Sequence, residues 1–318
     1  MKKFLEDLKI ELTKQHLCEK DIEEIIADHE EMIENAIAEG LNEEEMLKRF
    51  GNPQALAEEL ASFSSKSFEP SAIPDDYKFW KSIPLFENKL SIKVSLVYED
   101  IKIYPSSNED IRVYYKGSAD ISKYKITCDK NLFIIEAPKY KGFLFTKASH
   151  DNLDLIIELP TNILIESLLL NVVSSDVTLQ NMDCQSTTLS TTSGDISLTN
   201  CKLGETKWNT VSGDIDAIDT KIKNLISSQV TGDIDLKKVY IASDLKLNTV
   251  SGDVHLEDVI SNESYFHSVS GDLIGNEFYP SSIIFKSVSG DVTIHNKNNT
   301  TINVTKSSVS GDINIRSN

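Results

Sequence analysis

The chain has 318 residues and a formal net charge of −18 at pH 7, and 40% of its residues are hydrophobic. This length and apolar content are sufficient for two globular domains with cores of their own. The acidic balance argues against direct binding to nucleic acid or to anionic lipid, because both require a basic surface.

Signals for export or membrane insertion are not predicted. The N-terminus reaches Glu6 and Asp7 before any apolar run that a signal peptide would need. The most apolar stretch, residues 153–170, is interrupted by Asp154, Glu158 and Pro160. We therefore expect a cytoplasmic protein with no transmembrane segment.

No cofactor or metal site is predicted. The cysteines form no Cys-x-x-Cys pair and have no nearby histidines, so their spacing indicates neither zinc binding nor a disulfide framework. We expect free, buried thiols. The four cysteines are Cys18, Cys128, Cys184 and Cys201.

Residues 1–62 are predicted to form an acidic domain of four short helices, with 17 Asp and Glu against 7 Lys and Arg. Residues 2–15 and a second stretch around Ile22 and Ile33 carry apolar residues at helical spacing. His29 lies on the apolar stripe of the second helix, which favours a packed or boundary histidine over a pH sensor.

The ends of the last three helices are also marked in the sequence. Gly40 suits a left-handed cap of the second helix, and Asn42 with Glu45 forms a capping box for the third. Asn52 can cap the fourth helix, whose first position is Pro53.

This order of helices, with the segment AEGLNEEEMLKRFGNPQALAEEL at residues 38–60, resembles the HAAS-type helical signalling domain of bacteria. The resemblance covers nearly all of residues 1–62, and the Gly51-Asn52-Pro53 turn is its most specific part. It implies a PadR-like transcription regulator as partner. Most such domains sit beside transmembrane helices, and this chain departs from that pattern.

Residues 63–89 are predicted to be a linker between the two domains, because their Ser-rich and Pro-containing sequence has no sustained period. The segment also contains large apolar side chains, among them Phe79, Trp80 and Phe86. We expect part of it to cover the first coil of the following domain, which would otherwise expose strand edges.

Residues 90–318 are predicted to form a β-solenoid. Residues 90–170 alternate with the two-residue period of strands and form an irregular first part, and residues 171–318 carry a Ser-Gly-Asp repeat. After a degenerate version ending in Asp176, the gaps between successive aspartates are 19, 19, 19, 20, 19, 19 and 21 residues. A fixed period of this length with strand-type residues predicts stacked coils. The predicted fold class is therefore an α+β multidomain protein, with a small four-helix domain followed by a mainly parallel single-stranded β-solenoid.

The structural residues of the repeat are its glycines and aspartates. Counting from the aspartate as position zero, we expect the valine at −3, the glycine at −1 and the apolar residue at +1 to face the core, and the residues at −2 and zero to face solvent. A second strand is marked by apolar residues at −8 and −6. The repeated pairs are Gly194 and Asp195, Gly213 and Asp214, Gly232 and Asp233, Gly252 and Asp253, Gly271 and Asp272, Gly290 and Asp291, and Gly311 and Asp312.

These aspartates are predicted to stack in a column along the outside of the solenoid. Stacked carboxylates repel, so they must be solvated, bonded to serine hydroxyls and turn amides, or bridged by cations. Catalysis requires one asymmetric cluster, and here each carboxylate recurs in every coil. No catalytic residue is predicted.

The repeat region, from about residue 90 to residue 315, resembles the toastrack family of bacterial β-strand-repeat proteins, which also carries an adhesin label. The match includes the LDLIIELP segment at residues 153–160 ahead of the VSGD repeats. The resemblance implies a fold and little chemistry.

Three functions follow, in order of preference. The first is a non-catalytic cytoplasmic signalling or stress-response scaffold, whose helical domain docks the regulator and whose solenoid binds a ligand, an envelope component or another protomer. The second is a surface-associated adhesin-like structural protein, and the third is a polysaccharide-active enzyme. The last repeat ends at Ile315 and the sequence ends three residues later, so we also expect a homodimer through an uncapped C-terminal coil.

Overall fold

The computed structural model divides the chain into two compact units, Met1–Ser71 and Ala72–Asn318. Residues 72–89 of the predicted linker therefore belong to the same unit as the solenoid. The residues that the structure describes are 2–14, 22, 25–27, 29–30, 33, 52–54, 56–57, 73–138, 153–297 and 302–317.

The first unit contains the predicted first helix, α1 (Lys2–Lys14). Phe4, Leu8 and Leu12 lie one helical turn apart and are buried in a core that also includes Ile22 and Ile33. Among the described residues no helix is long and apolar enough to span a membrane.

The predicted start of the fourth helix is confirmed. The backbone N–H of Gln54 donates to the side-chain oxygen of Asn52 over 2.8 Å, which is the bond of an N-cap residue. His29 is buried, as expected, and its Nδ1 lies 2.8 Å from the carbonyl oxygen of Ile25. The predicted cap at Gly40 and the capping box of the third helix lie outside the described residues.

The described residues of the second unit form strands and one short 3-10 helix (Ile121–Lys123). The strands are β1 (Lys78–Ile83), β2 (Lys89–Ser95), β3 (Asp100–Ser106), β4 (Ile111–Gly117), β5 (Lys125–Asp129), β6 (Leu132–Glu136), β7 (Leu153–Pro160), β8 (Leu164–Asn171), β9 (Val177–Gln180), β10 (Asp183–Thr191), β11 (Ile196–Thr199), β12 (Lys202–Ser212), β13 (Ile215–Thr231), β14 (Ile234–Ile241), β15 (Leu245–Asn248), β16 (Val254–Ser268), β17 (Leu273–Ser287), β18 (Val292–Asn296), β19 (Asn303–Ser308) and β20 (Ile313–Ser317).

The coils stack in register, as the repeat predicted. One series of paired strands runs β5, β6, β2, β8, β10, β12, β13, β15, β16, β17, β19, and another runs β1, β4, β7, β3, β9, β11, β13, β14, β16, β17, β18, β20. The long strands β13, β16 and β17 belong to both series, because each of them continues around corners of its coil and joins the two into one continuous sheet. The parallel solenoid of about 8 turns with 19-residue spacing is therefore confirmed.

The first part of the solenoid does not follow chain order. Strand β2 lies between β6 and β8, and β3 lies between β7 and β9. Antiparallel strands β5 and β1 end the two series of paired strands on this side. Trp80 of β1 packs edge-on against Tyr115 and Tyr124, whereas Phe86 of the predicted linker is 85% exposed.

The prediction that the valines at −3 face the core is wrong. Val211, Val230 and Val250 are 42–49% exposed, and the buried residue is the neighbour at −4, for example Thr249. The alternation set by −8 and −6 continues to −4, and the corner lies between −4 and −1. Two successive residues, at −3 and −2, therefore point outward. The prediction assigned −3 to the core because valine is apolar.

A second corner, at +5, was not predicted from the sequence. Its residues have positive φ angles between 50° and 58° in six successive coils, which L-residues other than Asn and Asp adopt at a cost. The six residues are Asn181, Asn200, Asp219, Lys238, Asp258 and Glu277. The run of Asn and Asp in the earlier coils was the signal that could have revealed it.

This corner predicts a stabilising substitution. Lys238→Asn is expected to raise the free energy of unfolding by about 0.5–1 kcal/mol, because asparagine tolerates the left-handed conformation better than lysine. Lys221→Asn, within strand β13, should give no gain, because asparagine is disfavoured in strands. Urea unfolding followed by circular dichroism measures both, and equal changes in the two variants would contradict the assignment.

Candidate functional site: the aspartate corner

The glycine of each repeat lies where the backbones of successive coils nearly touch. A Cβ atom on Gly252 would lie 1.7 Å from the carbonyl oxygen of Gly232, and one on Gly213 would lie 2.3 Å from that of Gly194. Any side chain would collide with a carbonyl group of the preceding coil. The glycine is thus required by the stacking of the coils on one another.

In the last four repeats the hydroxyl at −4 caps the turn that follows it, whereas the buried hydroxyls of Thr191 and Thr210 at the same position have no hydrogen-bond partner. The Oγ of Ser268 accepts a hydrogen bond from the N–H of Gly271 over 2.6 Å, and Ser287 accepts from Gly290 over 2.7 Å. Equivalent bonds join Thr249 to Gly252 and Ser308 to Gly311. A small hydroxyl residue at −4 therefore satisfies a backbone donor that the corner would otherwise bury without a partner.

The aspartates form a continuous hydrogen-bonded ladder along the outside of this corner. The Oδ1 atom of each aspartate accepts a hydrogen bond from the backbone N–H of the aspartate in the next coil. Bonding to turn amides was one of the arrangements considered from the sequence. The N···O distances are 3.0 Å from Asp195 to Asp176, 2.9 Å from Asp214 to Asp195, 2.8 Å from Asp233 to Asp214, 2.9 Å from Asp253 to Asp233, 2.9 Å from Asp272 to Asp253, 2.8 Å from Asp291 to Asp272 and 2.7 Å from Asp312 to Asp291.

The column begins earlier than the repeat. The N–H of Asp176 donates to Oδ1 of Asp100 over 2.9 Å, and Asp100 is aligned in turn with Asp154. Burial raises the pKa of Asp100, and the charges of Asp176 and Asp154 raise it further. Asp100 and Asp154 were not predicted as members of the column because no Ser-Gly precedes them, although each is followed by the same alternation of buried apolar residues.

The column is flanked by further charges. Burial raises the pKa of Asp216, with added contributions from Asp235, Asp214 and Asp195. Among the described residues, no group of three His, Cys, Asp or Glu side chains has the arrangement of a metal site. Bridging of the column by cations was only an alternative in the sequence analysis, and nothing in the structure tests it.

The two ends of the column differ. At the N-terminal end Lys116 is aligned with Asp154 and forms a 3.0 Å ion pair with Asp76. At the C-terminal end the side chain of Asp312 is 98% exposed, and Lys306 lies 3.8 Å from its Oδ1. The described residues include no further coil whose amide could bond to the Asp312 carboxylate.

Two of the described carboxylates in the irregular first part of the solenoid are buried, and both have hydrogen-bond partners. Glu99 accepts from the backbone N–H groups of residues 97 and 98 over 2.6 and 2.9 Å, and Glu158 accepts from Asn108 over 2.9 Å and Tyr114 over 3.3 Å. Burial, together with the charge of Glu158, raises the pKa of Tyr104 to about 12. These satisfied groups fit a structural polar cluster.

The described thiols are free, as the cysteine spacing indicated. Cys184 and Cys201 are buried and Cys128 is half-buried, whereas Cys18 lies outside the described residues. Burial raises the pKa of Cys184 to about 12 and that of Cys201 to about 11. Thiols held in this protonated form are poor nucleophiles and poor metal ligands.

The ladder predicts different effects for two substitutions of one aspartate. Asp233→Leu should lower the free energy of unfolding by about 1–3 kcal/mol, because the N–H of Asp253 loses its acceptor. Asp233→Asn keeps a side-chain oxygen in place and removes one of the repelling charges, so its effect should be small. Urea denaturation compares the two; similar losses would show that the charge, and not the hydrogen bond, is what matters.

A rigid scaffold with the same surface chemistry in every coil defines a binding or scaffold protein. The chain belongs to the Toastrack DUF4097 family, whose model matches residues 88–241 and 208–318. Residues 3–59 match the HAAS family model. No match was found among curated proteins.

The chain is similar to several solved structures. A crystal structure from Parabacteroides distasonis, provisionally named as a lipid-binding protein, is 14% identical, with a TM-score of 0.54 over 76% of this chain and 98% of that one. A provisionally named adhesin from the same organism is 13% identical, with a TM-score of 0.49 over 75% and 97%. Another from Bacteroides fragilis is 19% identical, with a TM-score of 0.44 over 75% and 96%. The first of these similarities supports the fold alone.

Proposed function

We propose that this protein is a non-catalytic cytoplasmic signalling or stress-response scaffold. Its helical domain docks a transcription regulator, and its solenoid binds a ligand, an envelope component or another protomer. The observation that carries the proposal is the fusion of a HAAS segment, residues 3–59, to a toastrack solenoid in a single chain.

The proposed partner of the helical domain is a PadR-like regulator. HAAS domains associate with regulator partners. The segment of residues 1–62 carries 17 acidic against 7 basic residues, so a partner with a basic face is favoured over one with an acidic face. A domain of about 60 residues has a small core, and a bound partner would add to its stability.

Capture from native cells tests this partner. The full chain, used as bait, should recover a PadR-like regulator from cells that encode one. Leu8→Glu, which places a charge in the core of the helical unit, should abolish recovery while the strand signal in circular dichroism persists. Failure of the unchanged chain to recover such a regulator would contradict the proposal.

Localisation is tested separately, by cell fractionation. The cytoplasmic proposal predicts the native protein in the soluble fraction of lysed cells. Recovery from the outside of intact cells would favour the alternative of a surface-associated, adhesin-like protein.

A homodimer through the last coil is part of the proposal. Among the described residues, β19 pairs only with β17 and β20 only with β18, so each strand keeps one edge free for pairing. The edge also carries a charge in the interior row, because Lys306 is aligned with Phe285, which itself stacks on Phe266 at 5.6 Å.

Light scattering across a concentration series tests the dimer. The unchanged chain should associate weakly and reversibly, because the inward-pointing lysine opposes edge pairing. Lys306→Leu should associate at least tenfold more tightly, whereas Lys286→Leu, in strand β17, should not. A chain that stays monomeric at high concentration in all three forms would rule out this interface.

A further inference from the structure

We propose that the aspartate corner is a docking surface for a basic, amphipathic helix of a protein partner. The surface combines the aspartate column with a row of exposed valines, which we call the valine ridge: Val211, Val230, Val250, Val269 and Val288. This inference rests on the proposed scaffold function and deepens it by naming the chemistry of the partner of the solenoid.

The valine ridge is exposed to solvent. Its valines are 42–50% exposed, so the solenoid core does not account for their apolar character. Successive coils lie about 4.8 Å apart, which makes the five side chains one contiguous apolar strip. A solvated corner would be filled equally well by polar residues, and contiguous exposed apolar surface of this kind marks interaction sites.

The backbone hydrogen bonds of the ridge exclude an added β-strand as its occupant. The carbonyl oxygens of the ridge already accept bonds within the solenoid: that of Val230 from the N–H of Ser251 over 3.0 Å, and that of Val250 from the N–H of Ser270 over 2.9 Å. The hydroxyl of Thr231 adds a 3.2 Å bond to the carbonyl oxygen of Val211. With these acceptors engaged inside the solenoid, the partner must bind through side chains.

The surface beside the valine ridge is negatively charged. The aspartates follow the valines three residues later in each coil, and the ladder bonds engage only their Oδ1 atoms. Asp216 and Asp235 are aligned in successive coils two residues after the column and add negative charge beside it. Pairing of the ridge with a second copy would bring two such columns together, which like-charge repulsion opposes. The complementary occupant is therefore basic.

The spacing of the valines along the solenoid axis is close to the pitch of an α-helix. One turn of an α-helix advances about 5.4 Å, against about 4.8 Å for one coil, so the mismatch is only about 0.6 Å per turn. An apolar stripe at positions i, i+3, i+7 and i+10 can thus follow about four successive valines. Lysine or arginine on the flank of that stripe would reach the aspartate column.

Fluorescence anisotropy with the full chain tests the proposal. The probe is a labelled 18-residue peptide with a leucine stripe and lysine flanks, and a second peptide replaces each lysine by glutamate. The lysine peptide should bind, with affinity that falls as salt increases, and the glutamate peptide should not. Absence of binding by the lysine peptide, or equal binding by both, would overturn the proposal.

Matched variants locate the binding. Replacing Val230, Val250 and Val269 together by serine should weaken binding at least tenfold. The control replaces three other exposed apolar residues by serine and should leave binding within twofold: Ile218, Tyr240 and Ile260. Equal losses in both triple variants would show that the ridge is not the site.

A second pair of variants tests the charge without disturbing the ladder. Asp214→Asn with Asp233→Asn preserves the oxygen acceptors and should weaken binding at least fivefold with a shallower salt dependence. Asp219→Asn with Asp258→Asn makes the same charge change at the left-handed corner and should have little effect. If the regulator is captured by the helical unit but the peptide results are negative, only the docking surface fails. The reverse outcome would remove the regulator and keep the surface.

Discussion

Replacing Gly252 by alanine is expected to lower the free energy of unfolding by at least about 3 kcal/mol. The added Cβ would lie 1.7 Å from the carbonyl oxygen of Gly232, a backbone atom that cannot move without shifting its whole coil. The φ angle of Gly252 lies outside the left-handed region, so the loss would arise from the stacking contact alone. Urea unfolding followed by circular dichroism measures it.

Two substitutions serve as controls for this prediction. Ser251→Ala, at the neighbouring outward-facing position, should change stability by less than about 0.5 kcal/mol. Gly275→Ala should cost less than Gly252→Ala, because its nearest obstacle is the Cβ of Phe278 at 3.0 Å. If Gly252→Ala unfolds at the urea concentration of the unchanged chain, the close approach of the coils is not as described.

Replacing Trp208 by alanine is expected to cost about 3–5 kcal/mol. Its side chain is fully buried in the solenoid interior and is aligned with Leu189 of the preceding coil and Ser227 of the following one. Because Ser227 is small, the indole ring fills space that no neighbouring side chain can occupy without rearrangement. The loss of the ring therefore leaves a cavity between coils.

Trp208→Phe should retain part of this stability, and Phe86→Ala should leave it unchanged, because Phe86 is 85% exposed. Because each coil contacts only its neighbours, Trp208→Ala should also broaden the urea transition, as the coils on either side of the cavity become less coupled. An unaltered midpoint and slope would show that the interior is not packed around Trp208.

The aspartate corner shows where inference from the repeat was reliable. The 19-residue period predicted the coil, and the alternation of residues placed the glycine inward and the aspartate outward. The same reasoning wrongly placed the valine at −3 inward. Hydrophobicity alone favoured the valine over the polar residue at −4, which is the one that is buried. The inward-facing position is −4, where in the last four repeats a serine or threonine hydroxyl caps the glycine N–H, as in Ser268.

The irregular first part of the solenoid was less predictable. Strands β2 and β3 are inserted between coils that come later in the chain, so Asp100 joins the aspartate column through a neighbour 76 residues away. A pairing of that kind leaves no periodic trace. The clustering of Asn108, Tyr114 and Glu158 likewise depends on the pairing of β4 with β7.

The repeat, the two-domain organisation and the family resemblances could be predicted from the sequence, because each depends on spacing along the chain. The contacts of the repeat residues could not be predicted, because they join residues of different coils. The glycine is required because a carbonyl group of the neighbouring coil lies against it. The aspartate accepts a hydrogen bond from the amide of the next coil, and the valine lies at a corner that turns it toward solvent.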